Sequence, residues 1–156
     1  MIGFLGEYEA TVDSKGRFLF PAGFRKQLQE GDDSQFIINR GFEKCLTLYT
    51  KSGWEPIFKE ISKLNDFDPK VREFRRYFLN GATLLEMDSA GRLLIPQNLK
   101  EHAGIEKDIV LVSAVDKIEI WDKSKYQKFF ESFSPESFSE LGQQVMAGAA
   151  TMSSNS

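Results

Sequence analysis

An α+β fold rich in β-structure, made of two tandem copies of one small module, is what this 156-residue sequence predicts. Two observations carry that prediction. The first is an internal duplication. Residues 13–21 read Asp-Ser-Lys-Gly-Arg-Phe-Leu-Phe-Pro and residues 88–96 read Asp-Ser-Ala-Gly-Arg-Leu-Leu-Ile-Pro, so Asp13 and Asp88, Gly16 and Gly91, and Arg17 and Arg92 each stand 75 positions apart. The second is that strand-like and helix-like patterns recur in the same order around both motifs.

An extended segment precedes each aspartate, Tyr8-Glu9-Ala10-Thr11-Val12 in one copy and Thr83-Leu84-Leu85-Glu86-Met87 in the other. A short helix candidate follows each proline, Phe24–Leu28 and Leu99–Ala103. Two strands come next, around Phe36–Ile38 and Leu46–Tyr49, then Ile109–Val112 and Ile118–Trp121. Each copy then enters an amphipathic helix, marked by Trp54, Ile57, Phe58, Ile61 and Leu64, or by Tyr126, Phe129, Phe130 and Phe133, because spacings of three and four gather large side chains on one face. Between the copies Asp68-Pro69 opens a helix and Asn80-Gly81 stops it. The pattern divides the chain into a first repeat over residues 4–65, an inter-repeat helix over 66–80, a second repeat over 81–133 and a weakly structured C-terminal tail over 134–156. Residues 135–147 of that tail carry a weak helical pattern, and Thr151–Ser156 read as disordered.

Composition bounds the function. The chain holds 20 Lys and Arg against 23 Asp and Glu, a formal charge of −3, which opposes indiscriminate attraction to phosphate and leaves room only for a local basic patch. Fourteen phenylalanines supply more large apolar surface than a small monomer needs and point towards contacts between subunits; an aromatic-rich core is the other outlet. The single cysteine, Cys45, lies in an alternating segment and reads as a buried or paired strand residue rather than a nucleophile. The opening Met1–Glu7 has neither the basic start nor the apolar run of a signal peptide, and no stretch approaches the roughly 18 apolar residues of a membrane span. A cytoplasmic protein with no membrane partner is the expectation.

The repeated turn is the candidate site. Gly16 and Gly91 suit a positive φ, and Asp13 and Asp88 can accept hydrogen bonds from the backbone of their own turns. Arg17 and Arg92 then emerge at the start of the returning strands, Arg17 with Lys15 beside it. A stiff loop tip carrying an arginine presents a donor fork suited to a phosphate or a guanine edge. An Asp and an Arg four apart across a turn can equally pair with each other and hold the hairpin, and the pattern alone leaves both roles open. Arg72, Arg75 and Arg76 read as a solvated or subunit-facing helix surface ahead of a role in DNA contact. His102 has no partner at metal-binding spacing and reads as a surface residue, and Trp54 and Trp121 as packing residues. There is no P-loop, dinucleotide-binding glycine pattern, nucleophile elbow or zinc motif, so neither an enzyme nor a bound cofactor, metal or small-molecule substrate is expected.

The chain resembles the MraZ family of bacterial regulators, associated with the division and cell-wall gene cluster. The likeness rests on Phe4-Leu5-Gly6-Glu7-Tyr8, the two Asp-x-x-x-Arg hairpins, their ends at Phe20-Pro21 and Ile95-Pro96, Cys45-Leu46-Thr47-Leu48-Tyr49, and Ile118-Glu119-Ile120-Trp121-Asp122. It runs from about Phe4 to Phe133. The resemblance implies two AbrB-like swapped-hairpin half-barrel units per chain, subunits joined into a homo-oligomeric ring, and binding of double-stranded DNA at G-rich direct repeats in the promoter of the protein's own operon. It implies Arg17 and Arg92 as base readers, Lys15 as a phosphate contact, and Asp13, Gly16, Asp88 and Gly91 as loop-shaping residues. Ala90, where the first loop has Lys15, makes the first loop the expected stronger binder. The location implied is the cytoplasm, in association with the nucleoid. The alternative is a non-catalytic ring that works through protein partners.

Overall fold

A computed structural model describes residues 3–154, and the chain divides after Ser124 into two units. The first unit holds eight strands: β1 (Glu7–Thr11), β2 (Arg17–Leu19), β3 (Gln35–Arg40), β4 (Leu46–Thr50), β5 (Thr83–Glu86), β6 (Arg92–Leu94), β7 (Asp108–Ala114) and β8 (Lys117–Asp122). Its helices are α1 (Ala22–Arg25), α2 (Lys51–Ser62), α3 (Pro69–Gly81) and α4 (Gln97–Ala103); α5 (Lys123–Phe130) begins at its end. The fold is α+β and β-rich, as the duplication predicts, and its tandem units are AbrB-like, as the resemblance implies.

The strand order shows how the units interlock. Six strands form one antiparallel sheet in the order β1-β7-β8-β4-β3-β5, and β2 pairs with β6 in a separate ribbon. The first strand of each repeat therefore lies against the third strand of the other, with Tyr8 opposite Leu111 and Thr83 opposite Ile38. Fourth strand meets fourth strand at the centre, where Thr47 faces Glu119, and second meets second, where Phe18 faces Leu93. Reading the sheet from either edge gives the same sequence of repeat elements, so the halves are related by a pseudo-two-fold axis.

Alternation within the ribbon decides which residues reach the core. Phe18 and Leu93 are buried and point inward; Arg17, Leu19, Arg92 and Leu94 occupy the other face, where Leu19 is 59% and Leu94 48% exposed. Beneath the ribbon, Phe20, Phe24, Phe36, Ile38, Leu46, Leu48, Leu99, Leu111, Ile118 and Ile120 form one apolar cluster drawn from both repeats. Eight of the 14 phenylalanines are exposed and five are buried, so the core alone does not use the surplus.

Capping fixes the helices as their sequences suggest. Asp68 accepts a bond from the Lys70 amide at the start of α3, and Thr50 accepts one from the Gly53 amide at the start of α2. In the second unit the helical pattern over residues 135–147 is realised and runs further, as α6 (Pro135–Ser154), where the sequence reads as a weakly structured tail from residue 134. The disordered stretch expected over Thr151–Ser156 thus overlaps the last turn of α6, while Asn155 and Ser156 lie outside the described residues.

Candidate nucleic-acid interface

Both repeated turns close in the same way. The Asp13 amide donates to the Arg17 carbonyl at 2.8 Å, and the Gly16 amide donates to the Asp13 carbonyl at 3.0 Å. In the second copy the Asp88 amide meets the Arg92 carbonyl at 3.0 Å and the Gly91 amide meets the Asp88 carbonyl at 3.0 Å. Gly16 has φ +87° and Gly91 φ +82°, a region that disfavours side chains with a Cβ.

Each aspartate binds its turn with both oxygens. Asp13 Oδ1 accepts from the Lys15 and Arg17 amides at 3.0 and 2.9 Å, and Oδ2 accepts from Arg17 Nε at 3.0 Å. Asp88 Oδ1 accepts from the Ala90 and Arg92 amides at 3.0 and 2.8 Å, and Oδ2 accepts from Arg92 Nε at 2.9 Å. The backbone amide of Arg17, its side chain and the Lys15 amide hold the Asp13 carboxyl below its usual range, against partial desolvation; Arg92 and Ala90 do the same for Asp88. Asp13 and Asp88 are thus ionised at neutral pH.

This geometry joins the two roles that the pattern left open. The Asp–Arg pair does hold the hairpin, but only through Nε. The two terminal guanidinium nitrogens of Arg17 and of Arg92 have no partner among the described residues, and the two side chains are 30% and 36% exposed, so a stiffened arginine keeps a two-nitrogen fork uncommitted. Lys15 is exposed at the first loop tip, and Ala90 takes its place in the second.

The loops are not independent. The Ile95 amide donates to the Gly16 carbonyl at 2.8 Å, and the Phe20 amide donates to the Gly91 carbonyl at 3.0 Å. Each turn is closed by the strand of the other repeat, and because β2 and β6 run antiparallel the turns sit at opposite ends of one ribbon. Arg17 lies opposite Leu94, and Leu19 opposite Arg92. The outer face therefore alternates guanidinium and leucine, which two unlinked hairpins would not produce.

Sequence reasoning missed one basic residue here. A Cβ on Gly91 would lie 2.9 Å from Arg25 Nη1 and 3.8 Å from its Cζ, so the Arg25 guanidinium rests against the second turn. The available signal was its position just after the strand-ending Pro21, in the helix that leaves β2. The other arginine group has a local task. Arg72 Nη1 donates to the Asp66 carbonyl at 2.7 Å, Arg75 Nη2 donates to the Leu64 carbonyl at 2.8 Å, and Arg75 pairs with the Asp66 carboxylate, so these two secure the turn between α2 and α3.

Cys45 is buried, as its alternating segment suggests, but it lies just ahead of β4 rather than within a strand. Burial, then the charges of Glu119 and Glu43, push its thiol up to about 12. The ligand atoms of Glu43, Cys45 and Glu119 lie within 4.8 Å of one another, but a cation would have to displace the thiol proton. His102 is half-buried rather than a plain surface residue, and its buried Nε2 has no partner among the described residues. No helix among the described residues is long and apolar enough to cross a membrane.

An interlocked pair of swapped-hairpin units, with an arginine-bearing turn at each end of a shared ribbon, defines a tandem AbrB-like protein. The chain belongs to the MraZ family. The family model described as "MraZ protein, putative antitoxin-like" matches it twice, over residues 3–77 and 78–146, so the duplication is a repeat of that family unit. The chain is 42% identical over 144 residues to the transcriptional regulator MraZ of Cytophaga hutchinsonii, covering 92% of this chain and 95% of that protein. It is 44% identical over 147 residues to that of Christiangramia forsetii, covering 94% of each. With that of Acetivibrio thermocellus it shares 41% identity over 139 residues, 88% of this chain and 94% of that protein.

Proposed function

We propose that this chain is a sequence-specific DNA-binding transcriptional regulator without catalytic activity, which reads G-rich direct repeats in the promoter of the division and cell-wall gene cluster, its own gene included. The observation that carries the reading is the pair of aspartate-stiffened, part-exposed arginines whose terminal nitrogens are uncommitted. A fork of this kind suits the N7 and O6 acceptors of guanine in the major groove. Lys15 contacts a phosphate, which positions the loop without specifying a base. The relatives' printed name, transcriptional regulator, supports the same assignment.

The protein acts as a homo-oligomeric ring in the cytoplasm, associated with the nucleoid. The eight exposed phenylalanines provide apolar area for subunit contacts. An array of loops reconciles a chain charge of −3 with DNA binding, since linked weak contacts add avidity when their spacing suits repeated sites.

The test is binding of Arg17→Ala/Arg92→Ala to a duplex from upstream of the protein's own gene, alongside particle size. A bidentate arginine–guanine pair contributes about 1–3 kcal/mol, so loss of both weakens binding by about thirtyfold or more at constant salt and unchanged particle size. Unchanged affinity in the double variant overturns the proposal. Dissociation of the particle would make the loops subunit contacts and favour action through protein partners.

A further inference from the structure

The second loop lacks the lysine of the first, yet it is not short of a cation. Arg25 comes from the first repeat, in the last turn of α1, and lies against Gly91 of the second repeat. Several contacts hold it there. The Phe20 amide is bonded to the Gly91 carbonyl, which fixes the end of β2 one residue before Pro21 starts the path into α1. The Phe24 ring sits edge-on to Tyr8 with centroids 4.7 Å apart, and Gln27 exchanges bonds with the Leu5 amide and carbonyl at 2.8 and 3.0 Å. α1 is thereby held on both sides of Arg25.

Arg25 itself is exposed, and its guanidinium has no hydrogen-bond or carboxylate partner among the described residues. A guanidinium laid against a glycine turn, uncommitted and open to water, can meet an anion that approaches the turn. Gly91 matters to this arrangement because a side chain there would fill the space the guanidinium uses.

We propose that Arg25 is the phosphate-binding residue of the second loop, supplied across the repeat boundary in place of the missing lysine. The proposal rests on the reading of the hairpins as DNA-contacting loops. Each loop then has one base-reading arginine and one phosphate-binding cation: Arg17 with Lys15 at one end of the ribbon, Arg92 with Arg25 at the other. The two loops contribute comparably to binding, in contrast to the first-loop dominance that Ala90 suggests in the sequence.

The experiment measures affinity for the upstream duplex, and for an unrelated duplex of equal length, over a range of salt. Arg25→Ala weakens binding to both duplexes by a similar factor and lowers the slope of log affinity against log salt by about 0.9 for each engaged second loop. Arg25→Ala/Ala90→Lys restores the slope and most of the affinity, because the second turn shares the backbone bonding that carries Lys15 in the first. A purely structural role for Arg25 would not be rescued by charge at position 90. Wild-type affinity and slope in Arg25→Ala, with binding lost in Arg17→Ala/Arg92→Ala, overturn this inference and leave the regulator reading standing. Failure of rescue with unchanged particle size and melting temperature also overturns it. Unchanged binding in both Arg25→Ala and Arg17→Ala/Arg92→Ala overturns the regulator reading itself.

Discussion

Asp13 and Asp88 show how one side chain can stiffen a loop without silencing the arginine it holds. Each carboxylate takes two backbone amides and one Nε, and leaves the far end of the guanidinium open. Both carboxyls bind protons less tightly folded than unfolded. Their contribution to stability is therefore complete above the unfolded carboxylate range and is lost as pH falls through the lower, folded midpoints. Carboxyl NMR titration should place both midpoints below the ordinary aspartate value, and Asp13→Asn/Asp88→Asn should make acid unfolding less steep. The glycines allow a second test. Gly16→Ala and Gly91→Ala should each lose about 1–2 kcal/mol in urea unfolding from the left-handed backbone alone. Gly16→Ala should cost at least as much as Gly91→Ala, because its Cβ would press on the Ile95 carbonyl at 3.3 Å, whereas Arg25 can swing away from Gly91.

At the scale of elements, the β2–β6 ribbon is small, three residues a side, and depends on what it buries. Phe18 and Leu93 face each other across it with almost no exposure. Leu93→Ala should destabilise the fold by about 2–5 kcal/mol in denaturant melts, a cost set by the lost transfer energy and the cavity left behind. The arginines on the opposite face should still show their Nε bonds if the variant folds. Elements such as these were legible in the sequence because period-two alternation and turn residues are local signals: the strands, the Asp68 cap and the paired turns all follow from residues near one another. What pairs with what was not legible. Nothing around Tyr8 announces Leu111 as its neighbour, and nothing around Arg25 announces Gly91, because both depend on the return of a distant segment. The extent of the tail helix beyond residue 147 was not legible for a different reason. Its Ser, Ala and Gly content resembles a linker, but Ala147, Ala149 and Ala150 are among the best helix formers, and the apolar residues Phe138, Leu141 and Val145 recur at helical spacing.

For the whole molecule, the exchange of strands means that neither repeat is complete alone. Without the second repeat, β1 has no β7, β3 loses β5, and β2 has no partner for its ribbon. The Gly16 carbonyl also loses the Ile95 amide that closes the first turn. A fragment ending near residue 80 would expose Phe18, Phe20 and Phe36, which are now buried against residues of both halves. Two copies of the fragment can repair this, because the same pseudo-two-fold relation lets β1 of one copy pair with β3 of the other. The first repeat alone should therefore fold only as a dimer, with a melting temperature that rises with protein concentration as association is coupled to folding. Sedimentation and circular dichroism over a concentration series provide the measurement, and a folded monomer with a concentration-independent transition would contradict it. Such a dimer would place the Lys15–Arg17 loop at both ends of the ribbon and bring Arg25 of each copy to the other's Gly16.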